Sequence, residues 1–232
     1  MAIDRSIESA SLVKPQRAHT ADPPRVNTKA RILQAAQEVF AERGFDGAST
    51  REIAARAEVN ISSLHYHWDS KETLYRAIFA HIYERLVELV GGEVRRPESP
   101  ERARAMIDRT MGLIFDAFAD DPTVPKLLLR RLIEAPEEMD PGETVLGPAW
   151  RVFVDWAQTF AGDGTDATDA QEISFKLLTV QSALLVSMLD SPHVGTMLGG
   201  SLGDSTRRAR LRRQMIGLVE GLMGVEASRE AK

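Results

Sequence analysis

Apolar residues recur at three- and four-residue spacing from residue 28 to the far end of the chain. The first stripe covers residues 28–43 and stops at Gly44, a residue that commonly follows the last turn of a helix. The same spacing predicts further helices over about 70–90, 100–119, 124–135, 143–161, 170–190 and 205–224, with a loop at 191–204. Because no segment suggests a strand, the predicted fold class is all-α.

Residues 49–71 predict two short helices joined by a tight turn. Ser49 and Glu52 have the spacing of a capping box, so the first of these helices begins at Thr50. The pattern breaks at Glu58, and Asn60 is a favourable N-cap for a second helix over residues 61–68. This arrangement is typical of a helix-turn-helix, whose second helix can enter the major groove of DNA.

The second short helix has two chemically different faces. Leu64 and Trp68 share one side, with Ile61 nearby, and they are expected to pack in the core. The other side and its flanks carry hydroxyl, phenol and imidazole groups: Ser62, Ser63, His65 and Tyr66. Such groups can bind phosphate oxygens or base edges. A solvated polar face is the alternative, but the row of aromatic and imidazole side chains at 65–68 favours recognition.

The region from Gly44 to Glu72 resembles the N-terminal signature of the TetR family of transcriptional regulators. The matching pieces are GF at 44–45, STR at 49–51, IA at 53–54, VN at 59–60 and LHYHWDSKE at 64–72. Two positions depart from the family pattern. Glu58 stands where the family usually has a glycine. If φ is positive at this position, a glutamate there costs about 1 kcal/mol relative to glycine. His65 replaces the usual first tyrosine of the recognition helix.

The resemblance implies a three-helix DNA-binding domain over residues 28–75 and a C-terminal helical bundle over 76–232 for effector binding and dimerisation. Residues 1–27, rich in polar residues and proline, are expected to be a disordered arm. The implied function is a repressor that binds a palindromic operator as a homodimer and is released by a small-molecule effector. The predicted DNA-binding residues are Thr50, Arg51, Asn60, Ser62, Ser63, His65, Tyr66, His67 and Lys71.

Charge is distributed unevenly along the chain. The formal net charge is −5, but residues 1–76 hold eleven Lys and Arg against ten Asp and Glu, a balance of +1, and the remainder carries −6. DNA binding would therefore depend on a local constellation and not on the net field. The chain contains no cysteine, no apolar run long enough to span a membrane and no secretory signal at residues 1–20, so a cytoplasmic location is expected.

Other functions have weaker support in the sequence. Residues 199–203 match G-x-S-x-G, but the motif lacks a preceding strand and a following histidine, so no enzyme is predicted. His65 and His67 point to different sides of a helix, so no metal or cofactor is predicted. A helical cofactor- or metal-binding bundle without DNA-binding activity is the alternative. Candidate lining residues for an effector pocket are Met106, Arg109, Phe115, Asp116, Phe118, Trp150, Phe153, Trp156 and Gln181.

Overall fold

The computed structural model describes residues 27–91, 95–134, 148–160, 167–189 and 192–225. Within these ranges the chain is helical and contains no strand, as the all-α prediction requires. The helices are α1 (Thr28–Gly47), α2 (Thr50–Arg56), α3 (Ile61–His67), α4 (Lys71–Gly91), α5 (Pro100–Asp120), α6 (Thr123–Glu134), α7 (Pro148–Gln158), α8 (Ala167–Ser187), α9 (Pro192–Leu198) and α10 (Ser205–Leu222). The predicted arm at 1–27 lies outside the described residues except for Asn27.

The first helix is capped at its start and kinked near its end. The side chain of Asn27 accepts a hydrogen bond from the backbone N–H of Lys29 at 3.0 Å. Gly44 has φ 73° and ψ 178°, which interrupts the helix, and one further turn runs to Gly47. A residue with a Cβ atom is strained at that φ, which explains why a glycine occupies the kink.

Helix α4 connects the first three helices to the rest of the molecule. It begins after Ser70, whose Oγ accepts from the N–H of Thr73 at 3.1 Å. Leu74, Ile78 and Leu86 are buried along its length, and α4 packs against α1, α5 and α7. The predicted domain boundary after residue 75 falls inside this helix, so α4 belongs to both predicted domains.

The C-terminal helices pack around a single apolar core that is continuous with the core of α1–α4. Helix α5 lies against α10, and α8 lies against α6, α7 and α10. Arg208 on α10 donates to Asp116 at 3.0 Å and to Asp120 at 2.8 Å on α5. These two hydrogen bonds raise the pKa of Arg208 above its ordinary value. Charge pairs at the surface therefore align α5 with α10.

One prediction is wrong in the C-terminal half. Residues 191–204 were expected to form a loop, but 192–198 form helix α9. Pro192 occupies the first helical position, and Gly199 and Gly200 follow the last one with φ of 83° and 135°. Proline at the first position and glycine after the last are a start and stop signal for a short helix. None of the described helices is both long and apolar enough to cross a bilayer.

Candidate nucleic-acid interface

Two side chains start the helices of the predicted helix-turn-helix. Ser49 Oγ accepts from the N–H of Glu52 at 3.1 Å, and Asn60 Oδ1 accepts from the N–H of Ser63 at 2.6 Å. Each bond pairs one of the N–H groups that a helix leaves free in its first turn. The Glu52 carboxylate does not complete a capping box but lies 3.6 Å from Arg43 Nε and 4.0 Å from an Arg56 nitrogen. The predicted beginnings of α2 and α3 are confirmed.

The turn between α2 and α3 places a charged residue in the left-handed region. Glu58 has φ 52°, so the cost considered from the sequence applies here. Arg31 on α1 crosses to this turn and donates to the carbonyl oxygens of Ala57 at 2.5 Å and Glu58 at 3.1 Å. These carbonyls are at the end of α2, where a helix lacks internal donors. Arg31 therefore fixes the angle between α2 and α3.

A small core lies beneath α3 and determines which side faces outward. Ile53, Leu64 and Trp68 are buried, as predicted, and Leu64 has no exposed surface. Ile61 was expected near this core but is 37% exposed. It is the first residue of α3, one turn before Leu64, where the underlying core has ended. The helical spacing indicates which way the Ile61 side chain points, but it cannot indicate where the core ends.

The outward face of α3 carries the side chains predicted to read DNA. Ser62, His65 and Tyr66 are exposed, whereas Ser63 and His67 are half-buried. Tyr66 is 84% exposed, and its ring lies 5.2 Å from the ring of His67 in an edge-on arrangement. The face therefore presents a hydroxyl, an imidazole and a phenol from a helix held by its opposite side.

The predicted phosphate-binding residues flank this face. Thr50 is half-buried at the start of α2, and Arg51 beside it is exposed and has no ion-pair partner among the described residues. Asn60 is exposed, and its side-chain amide oxygen accepts the hydrogen bond that caps α3. Of these three residues, Arg51 offers a full positive charge to a ligand.

Lys71, predicted to bind DNA, also makes contacts within the protein. Its Nζ donates to the carbonyl oxygens of Phe45 at 2.9 Å and Ala48 at 3.2 Å, and lies 4.3 Å from the centre of the Phe45 ring. The side chain is half-buried and joins the start of α4 to the segment between α1 and α2. An ammonium group has three donors, so one is left for a phosphate.

Most other arginines of this region are paired with carboxylates. Arg56 makes a two-pronged contact with Glu42, at 2.8 and 2.9 Å, and Arg31 lies 3.5 Å from the Glu58 carboxylate. The hydrogen bond from Arg56 lowers the pKa of Glu42, and in return Glu42 raises the pKa of Arg56. Arg31 and Arg56 are structural residues that the sequence analysis missed, because their partners are distant in sequence.

A second feature is an apolar cavity of about 50 Å³ in the C-terminal bundle. Of the residues expected to line a pocket, Phe118, Trp150, Phe153, Trp156 and Gln181 do so. Met106, Arg109, Phe115 and Asp116 are not among its walls. Asp116 is instead paired with Arg208, and Phe115 is buried elsewhere in the core.

The sites considered for other functions have little structural support in the described residues. Ser201 of the G-x-S-x-G match lies between two helices, α9 and α10, and not at a strand-to-helix turn. No group of three or more His, Cys, Asp or Glu side chains with metal-binding geometry occurs within the described ranges.

Comparison with known proteins gives matches in the same region. Residues 32–78 match the family model "Bacterial regulatory proteins, tetR family". The chain is 31% identical over 102 residues to the HTH-type transcriptional regulator UidR of Escherichia coli K12. The aligned segment covers 44% of this chain and 50% of that protein. The chain is 41% identical over 69 residues to the HTH-type transcriptional repressor Rv3405c of Mycobacterium tuberculosis H37Rv, covering 30% and 37%. The chain thus spans half the length, or less, of these relatives.

Solved structures extend the likeness to the whole fold. A TetR-like transcriptional regulator from Rhodococcus sp. RHA1 has a TM-score of 0.59 at 19% identity, covering 88% of this chain and 100% of that one. A TetR-family transcriptional regulator from Bordetella parapertussis 12822 has a TM-score of 0.62 at 16% identity, covering 84% and 94%. At these identities the likeness concerns the fold alone. The matched helix-turn-helix segment is similar to that of the TetR family of bacterial regulatory proteins, and the described helices share the fold of solved TetR-family regulators.

Proposed function

We propose that the protein is a DNA-binding transcriptional regulator that binds a palindromic operator as a homodimer and is released by a small-molecule effector. The observation that carries the proposal is the two-sided α3, with Leu64 buried beneath it and Ser62, His65 and Tyr66 exposed above it. Similar proteins are named as transcriptional regulators and, in one case, as a repressor. Because one of these relatives is named as a repressor, we propose that the protein represses transcription. We also propose that it acts in the cytoplasm.

In the proposed complex α3 lies in the major groove. Ser62, His65 and Tyr66 contact base edges, and a phenol ring can also lie against a thymine methyl group. The flanking groups bind the sugar-phosphate backbone from both sides of the groove: Thr50, Arg51, Asn60, Ser63, His67 and Lys71. Because two donors of Lys71 are engaged by backbone carbonyl groups, Arg51 carries the main free charge of this set.

The proposed dimer forms through α8 and α10. One face of α8 packs inward, but Phe175, Leu178 and Val186 on its other side are 71%, 45% and 48% exposed. Next to it, Gly217 and Gly221 on α10 have open space where a Cβ atom would lie. A bulky apolar row beside a glycine surface is suited to close packing with a second copy, because a two-fold axis makes each patch its own partner. This face would set the separation of two α3 helices.

Helix α6 is proposed to connect the effector cavity with the DNA-binding helices. Leu128 on α6 lines the cavity, and two residues later Arg130 donates to the carbonyl oxygens of Ala41 at 3.2 Å and Glu42 at 3.3 Å on α1. Gln37 on α1 donates to Asp121 at 2.7 Å and Thr123 at 2.6 Å, at the start of α6. A shift of α6 caused by a ligand would therefore displace α1 and the helices that it supports.

The test is a fluorescence-anisotropy titration of the full chain with the duplex upstream of its own gene. At low ionic strength we expect saturable binding that weakens as salt rises, because phosphate contacts release counterions. Binding no tighter than that to an unrelated duplex, at every salt concentration, would reject the proposal. A metal- or cofactor-binding bundle would show neither binding nor salt dependence.

A further inference from the structure

The cavity in the C-terminal bundle has apolar walls with two polar side chains in them. Its lining comes from α4, α5, α6, α7, α8 and α10 and from Met223 just after α10, and it contains neither an acidic nor a basic side chain. The polar side chains are Trp156, which is 1% exposed, and Gln181. A ligand in this cavity would meet hydrocarbon and aromatic surface on most sides.

Both polar side chains lack hydrogen bonds. The amide oxygen and amide nitrogen of Gln181 are buried without a partner, and so is the indole N–H of Trp156. More than about nine in ten buried polar groups in folded proteins are paired, so three unpaired atoms on the walls of one cavity are unusual. Gln181 supplies one acceptor and a donor group, and Trp156 supplies one donor.

We propose that the effector is an uncharged, mostly apolar molecule that carries an amide-type group, such as a carboxamide, lactam or imide. This inference rests on the proposed function. Such a group donates to the Gln181 oxygen and accepts from the Gln181 nitrogen, while the Trp156 N–H binds a further acceptor lone pair. A charged ligand is excluded because no wall residue could neutralise it, and an unpaired buried charge is costly.

The size of the cavity sets how the ligand is admitted. About 50 Å³ accommodates only a few non-hydrogen atoms, so binding must widen the space. Met111 and Met223 line it, and unbranched methionine side chains adapt readily to a new neighbour. Ordered water is the competing occupant, since water can pair the same three atoms. Water alone would give the protein no preference for an amide.

A matched series of four probes separates these possibilities: 2-naphthamide, methyl 2-naphthoate, 2-methylnaphthalene and 2-naphthoate. Affinities are measured by isothermal titration calorimetry on the full chain without DNA. We expect the amide to bind at least about tenfold more tightly than the ester and the hydrocarbon, because only the amide both donates and accepts. The carboxylate should bind most weakly of the four.

The variant Gln181→Met keeps the volume of the side chain and removes its polar atoms. In this variant the amide and the ester should bind within about twofold of each other. Gln214→Met, at an exposed position on α10, is the matched control and should retain the wild-type ranking. Because the ranking of probes on the wild-type chain is a test by itself, a failure of Gln181→Met to fold does not block the experiment.

Three results would overturn the inference: equal binding of the three neutral probes, tightest binding of the carboxylate, or no binding of the amide up to its solubility limit. The same preparation is then titrated with duplex DNA. A chain that prefers the amide but binds no duplex keeps the ligand class and loses the regulatory function. A chain that binds its duplex but shows no preference for the amide keeps the regulatory function and loses the proposed ligand class.

Discussion

Single residues on α3 divide into those that hold the helix and those that are free to bind. Leu64 is fully buried and Trp68 nearly so, whereas Tyr66 between them is 84% exposed. An aromatic ring in water gains nothing for the fold, and its contact surface is available to a partner. The free residues are therefore expected to change DNA binding without changing stability, and the buried ones to change both.

Replacing Tyr66 by alanine tests this division. The operator affinity should fall by about 1–3 kcal/mol, since a base contact is lost, while the free energy of unfolding changes by less than about 0.5 kcal/mol. Anisotropy titration and urea denaturation measure the two effects. Met197→Ala on α9 is a matched control because Met197 is 85% exposed, and it should alter neither. Wild-type affinity in Tyr66→Ala would remove Tyr66 from the interface.

Lys71 combines a structural role with the proposed phosphate contact. Lys71→Met keeps an unbranched apolar stem and removes the ammonium group, with its two charge-assisted hydrogen bonds and its contact with the Phe45 ring, so the free energy of unfolding should fall by about 1–3 kcal/mol. If the third donor binds a phosphate, the slope of log affinity against log salt should also become shallower by about one unit. An unchanged slope with reduced stability would leave Lys71 a structural residue only.

At the scale of elements, helix ends were largely predictable and their relative positions were not. Ser49 and Asn60 cap the helices that their spacing predicted, because a cap joins residues two or three positions apart. Arg31 and Lys71 bind carbonyl groups 23–27 positions away, and no local pattern shows such a contact. Helix α9 was missed although Pro192 and Gly199 mark its ends, because a seven-residue helix gives too short a periodic pattern.

The turn before α3 gives a test of strain. Glu58→Gly should raise the free energy of unfolding by about 1 kcal/mol, since glycine adopts a φ of 52° without a steric penalty. The lost ion pair with Arg31 is exposed at 3.5 Å and contributes little. Glu58→Ala removes the same ion pair but keeps the strain, so it should not stabilise. Equal effects of the two substitutions in urea denaturation would show that the turn is not strained.

The titration of the Tyr83 phenol, on α4, tests the contact between α4 and α6. Burial raises its pKa from 10.0 to about 12, against an opposing effect of Arg131 on α6. Below pH 10 the phenol is neutral in both folded and unfolded chains. As pH rises from about 10 to 12, only the unfolded chain ionises, so the free energy of unfolding should fall by about 3 kcal/mol.

Absorbance at 295 nm should show this phenol ionising late, and Tyr83→Phe should reduce the late phase to the part contributed by Tyr75, whose pKa burial also raises. Tyr66→Phe is the comparison, because it removes a phenol from an exposed position. A late phase of unchanged amplitude in Tyr83→Phe would mean that Tyr83 is accessible to solvent in the folded chain.

For the whole molecule, the proposed dimer depends on the exposed apolar side of α8. One side of α8 packs inward, and Phe175, Leu178 and Val186 on another side remain exposed in the single chain. Phe175→Asp should convert the protein to monomers in analytical ultracentrifugation and weaken operator binding, because a monomer engages one half-site. Met197→Asp, another exposed apolar residue replaced by a charge, should leave a dimer. A dimeric Phe175→Asp would require another interface.

In the proposed complex the dimer holds two α3 helices at a fixed separation to read DNA. The most direct measurement is selection of bound duplexes from a random pool, followed by sequencing, with wild-type protein and Tyr66→Ala in parallel. We expect an inverted repeat whose half-site centres lie about 34–36 Å apart, enriched by the wild type and lost or relaxed in the variant. Enrichment of no sequence, or of an asymmetric single site that Tyr66→Ala selects equally well, would contradict it.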